Sequence, residues 1–397
     1  MNKFRFFPFI IIIILISTSL LSSVGCKKDS DLRKYQIPED IDDGIDIGTV
    51  EEVNIDRVLM EEAIDDIDDG KYGEIHSLLI CKDGKLVVEE YFRGHKYQWD
   101  APDHYADLVD WNRDMLHSIM SDSKSITSAC IGIAIDNGFI KSVDQPIFDY
   151  LREHKHLSTG GKEKITIENL VTMTSGLDWK EWNAAYNSTE NDAIGIWFSD
   201  KDPISYILEK DLIYEPGTRF AYSGGDIITL GEILRLATGM DIDRFSEKYL
   251  FQELKIDSFT WSDRFPNGVI ECAGGLKLTP RSMLKIGITF LNEGIWDGKL
   301  IVSERWVEKS AVEYGNNTDI KVPGEDIGKA GYSYTWWTKE FEVSGNLING
   351  FWANGWGGQK IIILPEIDTV IIFTGANYTS KVKNFSILEK YVLKAIK

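Results

Sequence analysis

Ser121 and Lys124 stand three residues apart at the head of an apolar-periodic run, a pairing that can activate a nucleophile without histidine. Residues three apart on a helix share a face, so their side chains converge one turn apart. The run continues through Ile126, Ala129, Cys130, Ile133 and Ala134 and meets a stop signal at Asn137-Gly138. That pattern predicts a buried amphipathic helix. A serine at a helix N-terminus also gains from the macrodipole, which favours the negative charge that develops as it attacks a carbonyl. A lysine beside it, partly desolvated, is expected to lose its proton near neutral pH and help activate the hydroxyl. The chemistry such a pair would do is acyl transfer, as in a serine hydrolase without a histidine base. An ordinary helix start explains the tetrapeptide equally well, so partners elsewhere must decide.

Such a site needs a second proton carrier and an oxyanion hole. Tyr222, in Phe220-Ala221-Tyr222-Ser223-Gly224-Gly225, supplies the first candidate. A phenol titrates near pH 10, and a neighbouring lysine charge is expected to lower that so that it acts as base. The second candidate is Asn354-Gly355-Trp356-Gly357-Gly358-Gln359, running into a strand. Glycines let backbone approach a ligand, and an N–H aimed into a cleft is an effective donor. Other hydrolytic designs fit poorly. All six histidines precede residue 157 and no G-x-S-x-G is present, which argues against a Ser-His-Asp enzyme. His154-Lys155-His156 is the only close histidine pair and no paired cysteines follow, so a zinc site is not expected. No metal or cofactor is needed.

The elements that must position these residues are legible in outline. Ile75 to Ile80 and Leu86 to Phe92 flank Asp83-Gly84 and predict a hairpin. A helical, loop-rich stretch reaches about residue 270, with helices expected at Ile167 to Met173 and Thr229 to Thr238. Strands return at Tyr332 to Thr338, Gln359 to Leu364 and Thr369 to Thr374, and Phe385 to Ile396 reads as an amphipathic helix. Strands at both ends of a helical middle imply an α+β fold: one antiparallel sheet flanked by helices, with a helical subdomain at about 140–270 inserted.

The 397 residues, 43% of them hydrophobic, suffice for such a domain. A net charge of −20 argues against nucleic acid and anionic lipid as partners. The expected partner is a small-molecule ester, amide or peptide. Lys3 and Arg5 precede an apolar stretch, Phe6 to Ile16, followed by small residues and Gly25-Cys26. This reads as a secretory signal over 1–25, too short to span a membrane comfortably. Acidic runs such as Asp65, Asp66, Asp68 and Asp69 make residues 26–72 read as a polar tether, with one short helix around Val58 to Ile67, before a domain at 73–397. Of the cysteines after Cys26, none sits in a C-x-x-C pair; a Cys81–Cys272 bridge is left open by the sequence.

Taken together, Ser121 to Ala129, Ile165 to Leu177, Glu215 to Ser223 and Gly357-Gly358-Gln359 resemble, in order and spacing, the class C β-lactamase-related serine hydrolases. That family includes penicillin-binding proteins, carboxylesterases and 6-aminohexanoate-dimer hydrolases, and the resemblance covers roughly residues 75–395. It implies a β-lactamase/transpeptidase-like fold with the cleft between sheet and helical subdomain. It implies Ser121 as acylated nucleophile, Lys124 as its partner and Tyr222 as general base. The backbone N–H groups of Ser121 and Trp356 would form the oxyanion hole, and Asn354, Gly355 and Gly357 would border the substrate. Gly25-Cys26 likewise resembles a bacterial lipoprotein signal, with Cys26 lipidated and the protein anchored to the cell envelope by that lipid alone. Two departures stand out. Tyr222-Ser223-Gly224 replaces the family's Tyr-x-Asn, and Ala353-Asn354-Gly355 replaces Lys-Thr-Gly. Losing the cation that meets a β-lactam carboxylate costs on the order of several kcal/mol of binding. The pattern therefore sits closer to the esterase and aminohexanoate-oligomer hydrolase branches than to true β-lactamases or D-amino-acid peptidases. A different class is also open: a catalytically silent, envelope-anchored protein that binds cell-wall peptide or a partner in the same cleft.

Overall fold

The structure, a computed structural model, describes residues 34–396. The expected leader, Cys26 and the first residues of the tether lie outside them. Asp83 and Gly84 both adopt positive φ (50° and 75°), the two-residue turn whose twist suits a tight hairpin. It joins β2 (Ile75–Lys82) to β3 (Lys85–Tyr91), antiparallel as expected. The nine-stranded sheet is completed by β1 (Asp46–Ile47), β4 (Ile320–Lys321), β5 (Lys329–Tyr332), β6 (Trp337–Val343), β7 (Asn346–Gly355), β8 (Gln359–Leu364) and β9 (Thr369–Gly375). Its order is β1-β3-β2-β9-β8-β7-β6-β5-β4, antiparallel throughout except where β1 runs parallel to β3. N- and C-terminal segments thus meet at β2 and β9, mid-sheet.

Every residue of β2, β8 and β9 is buried, so both faces of the sheet are covered. A helix at Pro280–Leu291 lies close enough on one face that a Cβ on Gly287 would sit 2.5 Å from Val370 and 3.0 Å from Ile361. On the opposite face Phe385 of the C-terminal helix packs on Trp352 and Phe341. The face assignment follows from register: Ile361 and Trp352 pair with neighbours one residue apart along the strands, and successive side chains alternate. Between Asn137 and Phe259 the described residues form only helices, turns and isolated bridges.

Three expectations are corrected. Residues 34–72 are no tether. Tyr35, Ile45, Val50, Val53, Ile55, Met60, Ile64 and Ile67 are buried in the main core, and the helix at Arg57–Asp68 packs on the C-terminal helix. Glu62 and Asp68 lie exposed on its outer face and Asp65 is buried, while an apolar stripe at helical spacing faces in. The single strand expected over Tyr332 to Thr338 is two, because Ser333 to Trp336 turn the chain between β5 and β6. Cys81, Cys130 and Cys272 are all free and buried, so the bridge left open by the sequence is not made. No helix among the described residues is long and apolar enough to cross a membrane.

Candidate active site

The helix at Asp122–Asp136 is buried from Asp122 to Ala134, on all sides rather than along one stripe. Its polar residues survive burial because each hydroxyl has a carbonyl to meet. Ser125 and Ser128 donate to Thr335 O and Tyr334 O (2.8 and 3.0 Å), and Thr127 donates to Cys272 O (2.9 Å). These bonds fix the helix between the β5–β6 turn and the Cys272 segment. Ser121 precedes it, and its side chain makes no capping hydrogen bond, leaving Oγ available. Met120 before it sits at φ 51°, a left-handed conformation that a β-carbon disfavours and that the packing around it must hold.

Lys124 Nζ donates to Ser121 Oγ at 2.8 Å and to Ala273 O at 2.9 Å, and lies 4.0 Å from Glu181 Oε1. Tyr222 stands beside this pair, with Lys124 Nζ 5.0 Å from its ring centroid. It stands just before the helix at Gly224–Thr238, where Ser223 caps Asp226 N. Its ring stacks on Trp182 with centroids 4.7 Å apart. The nucleophile, lysine and tyrosine expected from sequence therefore converge.

Their charge states differ from expectation. Burial alone would lower the Lys124 pKa, yet Tyr222, Glu181 and Glu271 outweigh it and the ammonium is held above its usual value. Tyr222 is raised, not lowered: burial favours the neutral phenol, the Lys124 charge pulls the other way, and Glu181 adds to the rise. The resting site is an ammonium beside a neutral phenol. The sequence could not give this, because the carboxylates responsible are 57 and 147 residues from Lys124. Glu181, 3% exposed, accepts from Trp179 Nε1 (2.8 Å), Gly224 N (2.7 Å) and Tyr186 OH (3.0 Å). Glu271, enclosed by the cavity walls, is pushed up to about 7 by burial, with Lys124 drawing it down.

The oxyanion candidates are also brought together. A Cβ on Gly355 would lie 2.3 Å from Ile119 O, so only glycine lets the end of β7 abut the backbone two residues before Ser121. Gln359 holds the following turn, donating to Trp356 O (3.0 Å) and Gly375 O (2.7 Å) and accepting from Gly375 N (3.0 Å). Among the loop and cap bonds of the described residues, neither Ser121 N nor Trp356 N donates to backbone. Gly355 and Gly357 are not substrate-lining as expected: both are buried, the second against the Tyr378 ring. Their role is close packing, whereas Asn354 does face a cavity.

Two cavities of about 460 Å³ each meet at Ser121. The first is walled by aromatics, among them Trp99, Trp179, Trp197 and Phe198, with Glu271 and Asp263 also exposed to it. The second is bordered by Tyr222, Trp182, Trp337, Asn354 and Glu325. Tyr186 and Trp356 line both and stack on each other with centroids 5.2 Å apart, forming the partition.

The buried carboxyls near the site give a pH-dependent stability. Burial pushes Asp122 up to about 8 and Asp226 up to about 7 from an ordinary 3.8. Between those values the folded chain keeps protons that the unfolded chain has released. Stability therefore falls as pH rises through that window, by at most about 1.4 kcal/mol per pH unit per group. Buried His76 and His117, lowered from 6.5 by burial, act in the opposite sense only below that value. The expected result is a Tm that declines between pH 6.5 and 8, with a slope that Asp122→Asn flattens. An Asp122→Asn melting series parallel to wild type would show that Asp122 is ionised in the fold.

A family model for beta-lactamase matches residues 76–384. The chain belongs to the beta-lactamase family. Within this beta-lactamase family it is 26% identical over 267 residues to a 6-aminohexanoate-dimer hydrolase of Paenarthrobacter ureafaciens. That alignment covers 65% of the chain and 66% of the enzyme, just under two thirds of its length. The fold matches a family VIII carboxylesterase with a TM-score of 0.62, at 17% identity over 84% of this chain and 96% of that one. A penicillin-binding-protein homologue from Caulobacter crescentus gives a TM-score of 0.62, at 16% identity over 85% and 95%.

Proposed function

We propose that this chain is a serine hydrolase that cleaves an ester or amide through an acyl-enzyme on Ser121. The observation that carries the reading is the 2.8 Å contact between Lys124 Nζ and Ser121 Oγ at the wall shared by two cavities. The resting Lys124–Tyr222 pair, acting as one titrating unit, first loses one proton to solvent; Ser121 Oγ then attacks the carbonyl carbon and its proton passes to the vacated position of the pair. The oxyanion is met by the N–H groups of Ser121 and Trp356. Collapse expels an alcohol or amine, which takes the proton from the pair. Water, activated by the same two groups, then releases the acid. Two cavities on either side of the nucleophile suit a substrate with a body on each side of the scissile bond. Aromatic walls with Glu271 and Asp263 favour a neutral or cationic group in the first cavity over an anionic one.

Support comes from the family match and from two similar proteins, a 6-aminohexanoate-dimer hydrolase and a family VIII carboxylesterase. A fluorophosphonate probe should label the wild-type chain and not Ser121→Ala. p-Nitrophenyl ester turnover should fall by about 10³-fold or more with that substitution. Nitrocefin should be turned over far more slowly than the ester. Equal labelling of both proteins, or of neither, would remove Ser121 as the nucleophile. Muropeptide binding with no turnover of any probe would favour the silent binder.

A further inference from the structure

The second cavity has a cation behind its wall. Lys360 lies on β8 directly opposite Asn354 on β7, so the two side chains share a face of the sheet. Asn354 borders the cavity. The Lys360 side chain is fully buried, and its Nζ lies 3.0 Å from Glu325 Oε1. Asn354 Nδ2 approaches the same oxygen at 3.4 Å. Glu325, 4% exposed as a side chain, itself borders the cavity. Among the described residues its other oxygen and Asn354 Oδ1 have no hydrogen-bond partner, and the same is true of both Asp122 carboxyl oxygens. Asp122 is the other acid facing Lys360, and burial pushes it up to about 8, so it is mainly neutral at pH 7. One carboxylate therefore balances one ammonium at this wall. Lys381, which does border this cavity, is exposed.

We propose that Glu325 is a specificity-determining residue: it masks the Lys360 ammonium, which would otherwise give the second cavity a site for a substrate carboxylate. A buried ammonium without its counter-ion demands an anion. A carboxylate entering at Glu325 would find that charge together with the Asn354 amide N–H, a charge-assisted pair of donors. With Glu325 present, an incoming carboxylate meets like charge instead. The inference rests on the hydrolase reading only for the kind of molecule that enters the cavity.

The test uses hippurate and its uncharged isostere hippuramide, titrated into Ser121→Ala protein and followed by tryptophan fluorescence. Trp182, Trp337 and Trp356 line the cavity and report occupancy without turnover, so the result does not depend on the nucleophile assignment. Adding Glu325→Gln should raise the hippurate-to-hippuramide affinity ratio about tenfold or more. Adding Lys360→Met to that protein should return the ratio to its starting value. An unchanged ratio in Glu325→Gln, or a rise that survives Lys360→Met, overturns the proposal. If Glu325→Gln is recovered unfolded, refolding in hippurate but not in hippuramide is the expected result, and equal failure in both overturns it.

Discussion

Lys124→Met is expected to lower kcat/KM for a p-nitrophenyl ester by about 10³-fold or more. Nζ holds three positions at once: Ser121 Oγ, Ala273 O and the vicinity of Glu181. Methionine fills the same volume and retains none of them. Without the ammonium the main pull of the Tyr222 phenol toward ionisation is gone, while burial and Glu181 hold it neutral, so Ser121 loses both proton acceptors together. Lys124→Arg should not rescue, because a guanidinium does not release its proton and its planar fork needs space that the buried site lacks. The stability cost should be smaller than the rate cost, since Glu181 keeps its three donors. Steady-state kinetics beside thermal melts separate the two. Methionine and arginine variants that retain more than a tenth of wild-type activity would show that Lys124 is structural.

The second large effect is expected at Glu181. Glu181→Gln removes one of the charges that hold Lys124 protonated, and it places an amide N–H₂ among the indole, the backbone N–H and the phenol that now all donate to the carboxylate. Breaking one partner of a buried charge pair typically costs about 3–5 kcal/mol of stability. Gly224 N belongs to the turn that carries Tyr222, so part of the cost falls on the proton carrier's position. The distinguishing readout is the pH profile. With the counter-charge gone the Lys124 pKa falls, so the rising limb of kcat/KM should move to lower pH even as its plateau drops. A plateau that drops without any shift of that limb would leave Glu181 with a purely structural role.

The residues proposed to carry the chemistry were readable because each stands in a local signature. Ser121 and Lys124 share one helical turn, Tyr222 precedes Gly-Gly, and Trp356 sits in a glycine run. What escaped was set by tertiary contacts. Glu181 lies in Trp179-Lys180-Glu181-Trp182, outside every motif singled out in the sequence, and its burial depends on donors up to 43 residues away. The charge state of the lysine followed from that miss. Lys360 reads as one polar residue in an apolar strand, and only the β7–β8 register places it beside Asn354. The main strands were legible from alternation and turn residues. The N-terminal segment was misread because its acidic count outweighed Val50, Val53, Ile55, Met60, Ile64 and Ile67, whose spacing alone marks a packed face.

That segment also bears on how copies of the molecule meet. β3 is the last long strand on its side of the sheet, and a bare strand of that length offers a template on which another chain can add. Here β1 runs parallel to its first residues, Gly48 N donates to Leu86 O (3.1 Å), and Tyr35 OH donates to Val87 O (2.8 Å). Further along, Arg281 bonds Glu89 and reaches Glu39 O (2.7 Å), clasping the segment across the strand. With so many aspartates and glutamates outside it, the stretch works as a guard strip against sheet-to-sheet growth.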